Sequence, residues 1–292
     1  TMAIDASVVG KKFGPFKFDY NMEKLNLFAV GCNCGYDMKA GEEYYNEYLP
    51  GGLKVLPIFG AMPLVCGEVT NTVDYGADLR GTLHWGIDLK IKSDMNRLAQ
   101  KSGTLSTDVT VVGMWDRGPG KGLLCQEHSD TYDDDGTLVC ECETWDCLIY
   151  DGGWGGEKPP ADIVEMPDRE PDFEMSETIA MNAGLAFRLT GMLHPLHVDW
   201  PTAKAAGFPI PFYFGLGYGG IAMRHMIDTF MPGEPERLTR FKVRMCAPVM
   251  PGATVKTQMW KMEDGSVRFR LVDALATTAK PYLNWGIMEY KN

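Results

Sequence analysis

The alternation of apolar and polar positions predicts a helix followed by strands in the first half of the chain. Residues 22–31 place their apolar side chains on one face of a short helix, which Gly31 ends. Residues 107–114 are rich in β-branched side chains and predict a strand. The acidic turn at 133–136 ends in glycine and predicts a hairpin between the two strands that flank it.

The second half repeats this arrangement with a longer helix. Residues 173–179 predict a strand, and residues 181–189 predict a short helix. The longest helix candidate covers 214–230 and ends at a Pro-Gly pair. Four further strands are predicted at 238–246, 254–262, 266–274 and 279–288. One main helix followed by a run of antiparallel strands in each half is typical of an α+β fold.

A segment rich in glycine and proline, residues 151–172, separates the two halves. Such a run predicts a linker. We therefore divide the chain into an N-terminal domain at 1–155, a linker at 156–172 and a C-terminal domain at 173–292. The two halves are not similar enough in sequence to be identified as a repeat.

The composition is that of an acidic globular protein. The chain has 292 residues, 45% of them hydrophobic, and a formal net charge of −11. A duplex-binding surface needs a basic excess, so we expect no nucleic-acid partner. No apolar run reaches the length of a membrane span, and the N-terminus lacks the residue order of a secretory signal. We therefore expect a cytoplasmic protein.

The eight cysteines include no C-x-x-C pair, and no histidine lies at zinc-finger spacing beside two of them. Small buried thiols in a reducing compartment are the favoured interpretation. We expect neither a metal nor a redox cofactor.

Three of the five histidines fall between residues 194 and 225, two of them on one loop. His194 and His197 flank a proline that restricts the backbone, and Gly191 permits an unusual turn before them. Such a loop can aim both imidazoles at one point, and Asp199 is close enough in sequence to orient one of them. The alternative is that one histidine packs in the protein and the other is solvated. We favour the functional interpretation.

The helix after this loop begins with an unusual concentration of glycines, Phe214-Gly215-Leu216-Gly217-Tyr218-Gly219-Gly220. Each glycine costs a helix about 1 kcal/mol relative to alanine. Either another part of the chain packs closely against it, or a ligand approaches the start of the helix. In the second case the exposed amides would polarise a carbonyl oxygen. Both interpretations stay open from sequence alone.

The loop and helix start read R-L-T-G-M-L-H-P-L-H-V-D-W-P-T-A and G-F-P-I-P-F-Y-F-G-L. They resemble the MaoC-like family, most closely the type 2 enoyl-CoA hydratases, whose signatures are R-L-S-G-D-x-N-P-L-H-x-D-P-x-x-A and G-F-x-x-P-I-L-H-G-L. Ordered similarities extend over nearly the whole chain. They include L-P-I-F-G-A-M-P at 56–63, Leu83-His84-Trp85-Gly86, and A-P-V-M-P-G at 247–252. The resemblance implies a double hotdog, in which two central helices are each wrapped by a curved antiparallel sheet, with a ligand tunnel between the halves.

The departures from the family pattern concern its chemistry. In the family, an aspartate and a histidine activate one water, which adds across a trans-2-enoyl thioester to give the (R)-3-hydroxyacyl thioester. The matching positions here are Met192 and His197, so one acid/base partner is replaced by methionine. The family asparagine becomes His194, and the family histidine before the helix becomes Phe214. The resemblance gives Gly215 the task of polarising the carbonyl.

Two classes of function follow. The first is a lyase-type enzyme that hydrates, dehydrates or enolises a carbonyl or thioester compound through His197 and His194, with isomerisation or intramolecular cyclisation as variants. The second is a non-catalytic protein that binds an acyl thioester. Retention of two histidines favours the enzyme, because an unpaired polar group in an apolar tunnel costs roughly 1–3 kcal/mol. Phe214 makes the pocket more apolar, which suits a bulky hydrophobic substrate such as a secondary metabolite.

The remaining candidate residues are binding residues. Met192, Asp199, Tyr213, Phe214 and His84 are candidates for contact with the substrate. Arg240, Lys242 and Arg244 alternate with apolar residues on a predicted strand, and they form either a solvated strand face or a clamp for the phosphates of coenzyme A or a carrier-protein arm. We expect a homodimer that acts on a small molecule. The family resemblance would also allow a peroxisomal location, but the C-terminus reads M-E-Y-K-N and has no peroxisomal signal.

Overall fold

Ten antiparallel strands form one sheet in the computed structural model, which describes residues 3–66, 73–161, 164–276 and 280–291. The strands are β1 (Lys12–Tyr20), β2 (Thr82–Ile91), β3 (Gly103–Asp116), β4 (Leu123–Tyr132), β5 (Leu138–Leu148), β6 (Phe173–Thr178), β7 (Leu238–Met245), β8 (Thr254–Lys261), β9 (Val267–Asp273) and β10 (Leu283–Tyr290). The α-helices are α1 (Met22–Gly31), α2 (Met62–Val65), α3 (Ala183–Leu189), α4 (Trp200–Ala205) and α5 (Gly215–Phe230).

The strand order shows that the two halves have the same topology. The order is β1-β3-β4-β5-β2 in the first half and, read from the other edge, β6-β8-β9-β10-β7 in the second. The halves join where β2 pairs with β7, and Gly86 lies opposite Arg244 at this junction. The residues of the two halves did not identify this duplication, although the family resemblance implied it as a double hotdog. The residue patterns predicted neither β1 nor β2 as a strand. In β2, four successive residues from Gly86 are buried, so the strand lacks the alternation that marks a half-exposed strand.

Helix α5 is the centre of the second half. Every residue from Leu216 to Ile227 is buried, although Arg224 and His225 are among them. The corresponding place in the first half, before β2, holds a 3-10 helix, Pro57–Ala61, that continues into α2. Ile58 of this segment lies 3.2 Å from where a Cβ on Gly219 would be, so the two halves pack closely at this glycine.

A buried polar network joins α5 to the first half. Glu177 on β6 forms an ion pair with Arg224, accepts a hydrogen bond from Asn33 (2.7 Å), and lies 2.9 Å from Nε2 of His225. Asn33 follows α1 and also accepts a hydrogen bond from the amide of Ala180. Burial raises the pKa of Glu177, but the bonds from His225 and the charge of Arg224 outweigh it and hold that pKa below its usual value. The network therefore fixes the position of α5 through a charged carboxylate.

The described residues of 151–172 contain neither helix nor strand, and β6 begins directly after them. The start of this segment is attached to the first half, because the Asp116 carboxylate accepts hydrogen bonds from the amides of Gly153 and Gly155. The proposed division into domains at 1–155 and 173–292 stays a prediction.

Candidate active site

The loop that carries the two histidines begins at a glycine with left-handed backbone. Gly191 follows α3 and has a φ of +125°, a conformation that favours glycine. A Cβ at this position would lie 3.5 Å from Cε2 of Phe18 and 3.6 Å from Sγ of Cys66. The start of the loop therefore lies against the first half of the protein, and the sequence did not indicate this contact.

His197 is held in one tautomer by a backbone carbonyl. Its Nδ1 lies 2.8 Å from the carbonyl oxygen of Phe212, and a carbonyl only accepts, so Nδ1 donates. In the neutral ring, Nε2 then carries the lone pair. Burial, together with the smaller effect of the nearby His194, outweighs the Phe212 hydrogen bond and lowers the pKa of His197 to about 3. His197 is thus a neutral base at pH 7.

His194 has the opposite tautomer. Its Nδ1 accepts a long hydrogen bond, 3.4 Å, from the amide of Leu196, so Nε2 carries the proton in the neutral ring. Burial lowers the pKa of His194 below its ordinary value. The centroids of the two imidazoles are 5.8 Å apart. The loop therefore brings together one acceptor nitrogen and one donor nitrogen.

Aromatic rings form the wall behind His197. Phe214 is fully buried and lies between His197 and Phe187, with ring centroids 3.7 Å and 4.8 Å away. The ring of Phe212 meets the imidazole edge-on at 4.8 Å. Phe187 continues this stack to Phe28 of α1, at 5.5 Å. The low pKa of His197 follows from this apolar setting, because burial disfavours the charged ring.

The glycines of α5 differ in their surroundings. A Cβ on Gly217 would lie 2.5 Å from the ring of Tyr213, and one on Gly220 would lie 2.5 Å from Sγ of Cys32, so close packing explains both. On Gly215 the nearest atom would be 3.5 Å away, in Met245, an ordinary contact. Packing therefore does not account for Gly215, the first residue of a 16-residue helix whose initial amides have no side-chain cap. These amides form a partial positive charge beside Phe214.

The structure shows the contacts of two other loop residues, Asp199 and Met192. The Asp199 carboxylate caps α4, accepting hydrogen bonds from the amide and hydroxyl of Thr202. The Phe212 carbonyl, not Asp199, orients His197. Met192 is partly buried and packs against the hydrophobic core. The role of Asp199 as an orienting group is therefore corrected, because its carboxylate is engaged at the helix start.

Several predicted binding residues lie apart from the histidine pair. Tyr213 is buried and its hydroxyl donates to the carbonyl of Gly31. His84 on β2 lies 3.1 Å from the carbonyl of Gly86, and burial lowers the pKa of His84 to about 4. In the register, His84 pairs with Asp146 of β5, on the first half of the sheet. Their roles in substrate binding stay predictions.

The three cations of β7 lie on the face opposite the helix start. Alternation puts them on the other side of the strand from Met245, the residue that contacts Gly215. Arg240 forms two hydrogen bonds with Asp88 and one with Glu289. Two carboxylates thus already engage Arg240. The phosphate clamp formed by Arg240, Lys242 and Arg244 stays a prediction.

Within the described ranges there is no group of three or more His, Cys, Asp or Glu side chains that could hold a metal ion. None of the described helices has both the length and the apolar character needed to cross a membrane.

Comparison with known proteins finds similarity in the second half and over the whole chain. Residues 162–280 match the family model described as a MaoC like domain. The chain is 29% identical to the 3-hydroxyacyl-thioester dehydratase Y of Mycobacterium tuberculosis, covering 99% of each chain. It is 26% identical to the probable enoyl-CoA hydratase 2 of Dictyostelium discoideum, covering 92% of this chain and 91% of the other.

Solved structures agree with the topology. A MaoC-like dehydratase from Phytophthora capsici superposes with a TM-score of 0.78 at 24% identity, over 96% of this chain and 95% of the other. A Mycobacterium tuberculosis protein described as having a double hotdog fold gives a TM-score of 0.61 at 15% identity, over 96% and 94% of the two chains. The predicted double hotdog is confirmed, and His194, His197 and Gly215 lie within the region that matches the MaoC like domain.

Proposed function

We propose that this protein is a hydro-lyase that interconverts a 3-hydroxyacyl thioester and the corresponding 2-enoyl thioester. The observation that carries the proposal is the pair of complementary tautomers, with Nε2 of His197 as acceptor and Nε2 of His194 as donor. The names of the similar proteins, a 3-hydroxyacyl-thioester dehydratase and a probable enoyl-CoA hydratase, support the substrate class.

In the direction of dehydration, Nε2 of His197 removes the proton from the carbon next to the thioester carbonyl. The Gly215 amide donates to the carbonyl oxygen, where negative charge develops. His197 then returns the same proton to the departing 3-hydroxyl group, so that water and the 2-enoyl thioester are formed. Nε2–H of His194 hydrogen-bonds to that hydroxyl and keeps its own proton, because a neutral imidazole is too weak an acid to give it up.

The same geometry implies a slow enzyme for small substrates. A base with a pKa of about 3 is weak, so there is little driving force for the transfer of a carbon-bound proton to His197. In the resembled family a carboxylate stands where Met192 stands here, and a nearby negative charge would stabilise the protonated imidazole. We propose that binding of a bulky hydrophobic acyl group against the Phe214 and Phe187 rings compensates by positioning. Coenzyme A or a carrier-protein arm as the thiol, a homodimeric state and the compartment stay predictions.

The test is turnover of a panel of 3-hydroxyacyl-CoA thioesters, with linear, branched and cyclic acyl groups, by wild type and His197→Ala. We expect enoyl product from at least one bulky member and a loss of 10²–10⁴-fold in the variant. His128→Ala is the matched control, because His128 lies on the strand β4 and bonds to Glu143 and Asp130, away from the loop. Binding of the thioester without turnover by wild type would instead support the non-catalytic binder.

A further inference from the structure

A pocket lies at the junction of the two halves, on the face of the sheet opposite the one that α5 covers. It is lined by four of the seven tryptophans, Trp85, Trp115, Trp145 and Trp285, and has a volume of about 130 Å³. Gly86 lies in register between Trp145 of β5 and Arg244 of β7. A Cβ on Gly86 would lie 3.1 Å from the carbonyl oxygen of Val243, so the two strands approach closely at this glycine, which adds no side chain to the pocket.

The pocket is cationic in an acidic protein. Among the described residues that line it, Arg117, Lys242 and Arg244 are basic and none is acidic, although the whole chain has a formal net charge of −11. The guanidinium groups of Arg117 and Arg244 lie 4.1 Å and 4.3 Å from the ring centroid of Trp85. The polar groups that Arg117 meets are the carbonyl of Lys121 and the thiol of Cys147. An anion placed here meets several positive charges at short range.

Irregular backbone aims two of the tryptophans into this pocket. Trp85 sits where the register of β2 with β5 shifts between His84 and Gly86. Trp285 sits where the register of β10 with β7 shifts after Asn284, and its φ is +53°. Such a φ is unfavourable for a bulky side chain and persists where the surroundings enforce it, most often at functional sites. Bulges commonly redirect a side chain in the same way. Trp285 thereby reaches 5.1 Å from the Arg244 guanidinium.

We propose that this outer pocket binds a small planar aromatic carboxylate. Its ring would stack on the tryptophans, and its carboxylate would bind the guanidinium of Arg117 and the ammonium of Lys242. The volume is close to that of a cavity, about 150 Å³, that accommodates one benzene-sized ring. The pocket is separate from the histidine site, because Lys242 and Arg244 lie on the face of β7 opposite Met245, which contacts Gly215. This site goes beyond the proposed hydro-lyase function.

The experiment titrates the full chain with benzoate and follows tryptophan fluorescence, with calorimetry as a second measure of binding. Benzyl alcohol, which has the ring without the charge, and acetate, which has the charge without the ring, are titrated in parallel. We expect saturable binding of benzoate and a Kd at least about tenfold weaker for each of the other two. His197→Ala should bind benzoate as wild type does, because the two sites are on opposite faces.

Arg117→Gln should raise the Kd for benzoate about tenfold, since it removes a charge-assisted contact. Arg270→Gln is the matched control, because Arg270 also lies over a tryptophan, Trp260 at 5.2 Å, outside this pocket. If Arg117→Gln does not fold, as judged by circular dichroism, Lys242→Gln takes its place with the same expectation. The proposal is overturned if benzoate does not bind, if all three probes bind alike, or if the pocket variant binds as tightly as the Arg270 control.

Discussion

The imidazole of His197 lies 3.7 Å from the ring of Phe214, centroid to centroid, with 30° between the two planes. Phe214 stands where the resembled family has a histidine, so a polar neighbour of the base has become an apolar one. The substitution and the burial of the site act in the same direction, because both disfavour a charged imidazole. The pKa of His197, lowered by burial to about 3, is the consequence.

The pH dependence of catalysis should reflect this lowered pKa. We expect kcat/KM to stay constant from about pH 8 to about pH 5, because His197 remains neutral over that range. An unperturbed histidine would give an acidic limb near its ordinary pKa of about 6.5. The measurement is kcat/KM against pH with the best thioester of the panel, with thermal melts at each pH to exclude unfolding. An acidic limb near that ordinary value would contradict the assignment of His197 as a half-buried base that is neutral at pH 7.

Met192 stands where the resembled family has its catalytic aspartate. Met192→Asp should raise the pKa of His197 and increase hydration of crotonyl-CoA about tenfold or more, because the new carboxylate stabilises the protonated ring. Combining it with His194→Asn restores the family residues at these two loop positions, while Phe214 stays, and should increase the rate further. Met192→Leu is the control for altered packing and should leave the low hydratase rate unchanged. Wild-type hydration of crotonyl-CoA at a typical enzyme rate, on the order of 10 s⁻¹, would show that His194 already replaces the carboxylate.

The two histidines should contribute unequally. His197→Ala removes the base and should lower kcat by 10²–10⁴-fold, whereas His194→Ala removes a hydrogen-bond donor and should lower it less or change the product. Both residues are partly exposed on a loop, so the melting temperatures should stay close to that of wild type. Turnover and thermal melts of both variants decide this. If both keep wild-type turnover, the active site is elsewhere.

The buried Glu177 should be far more important for stability than the exposed carboxylate three residues before it on the same strand. Glu177→Ala leaves the buried Arg224 with only its longer ion pair to Asp228, at 3.6 Å, and should destabilise the fold by about 3–5 kcal/mol. Glu174→Ala is the control on the same strand. Its exposed pair with Lys256 should contribute about 1 kcal/mol or less. Urea unfolding of both variants gives the comparison, and equal losses would contradict the role of the network.

His84 should make folding stability dependent on pH. Burial lowers its pKa in the folded protein to about 4, so between there and about pH 6.5 the unfolded chain binds a proton that the folded one does not. The contribution of neutral His84 to the stability of the folded protein is therefore present above about pH 6.5 and is lost as the pH falls toward about 4. His84→Gln should flatten the decrease of the unfolding free energy in this window.

His128 has a raised pKa, because bonds and charges of Glu143 and Asp130 outweigh its partial burial. His128→Gln should therefore remove stability at acidic pH instead.

The sequence predicted elements whose signals are local. Helix α5 was predicted to within one residue, because its apolar run and the Pro-Gly pair that ends it are both recognisable in the sequence. The hairpin of β4 and β5 follows from its acidic turn. Strand β2 was missed because it is paired on both sides and its burial does not alternate. The duplication was implied only by the family resemblance, because it is a property of strand order and the two halves share too few residues to show it.

The histidine site was located by its motif, but its chemistry was not. The pattern of letters placed His194 and His197 on one loop, and the structure confirms that their rings are neighbours. Which nitrogen of each ring carries the proton depends on Phe212 and Leu196, through backbone groups that have no signature in sequence. The approach of Phe18 and Cys66 to Gly191 comes from the other half of the chain and needs the folded structure.

The pairing of β2 with β7 also determines how many edge strands the protein exposes to other chains. Two separate five-stranded sheets would present four edge strands, whereas the joined sheet of the described chain ends only at β1 and β6. β1 exposes Lys12 and Lys17 and contains Pro15, which has no amide proton to donate, and β6 is six residues long with Glu174 exposed. Such edges discourage the addition of a further strand. The duplication therefore protects the protein against edge-to-edge aggregation, and a second copy of the chain would have to associate through faces or loops.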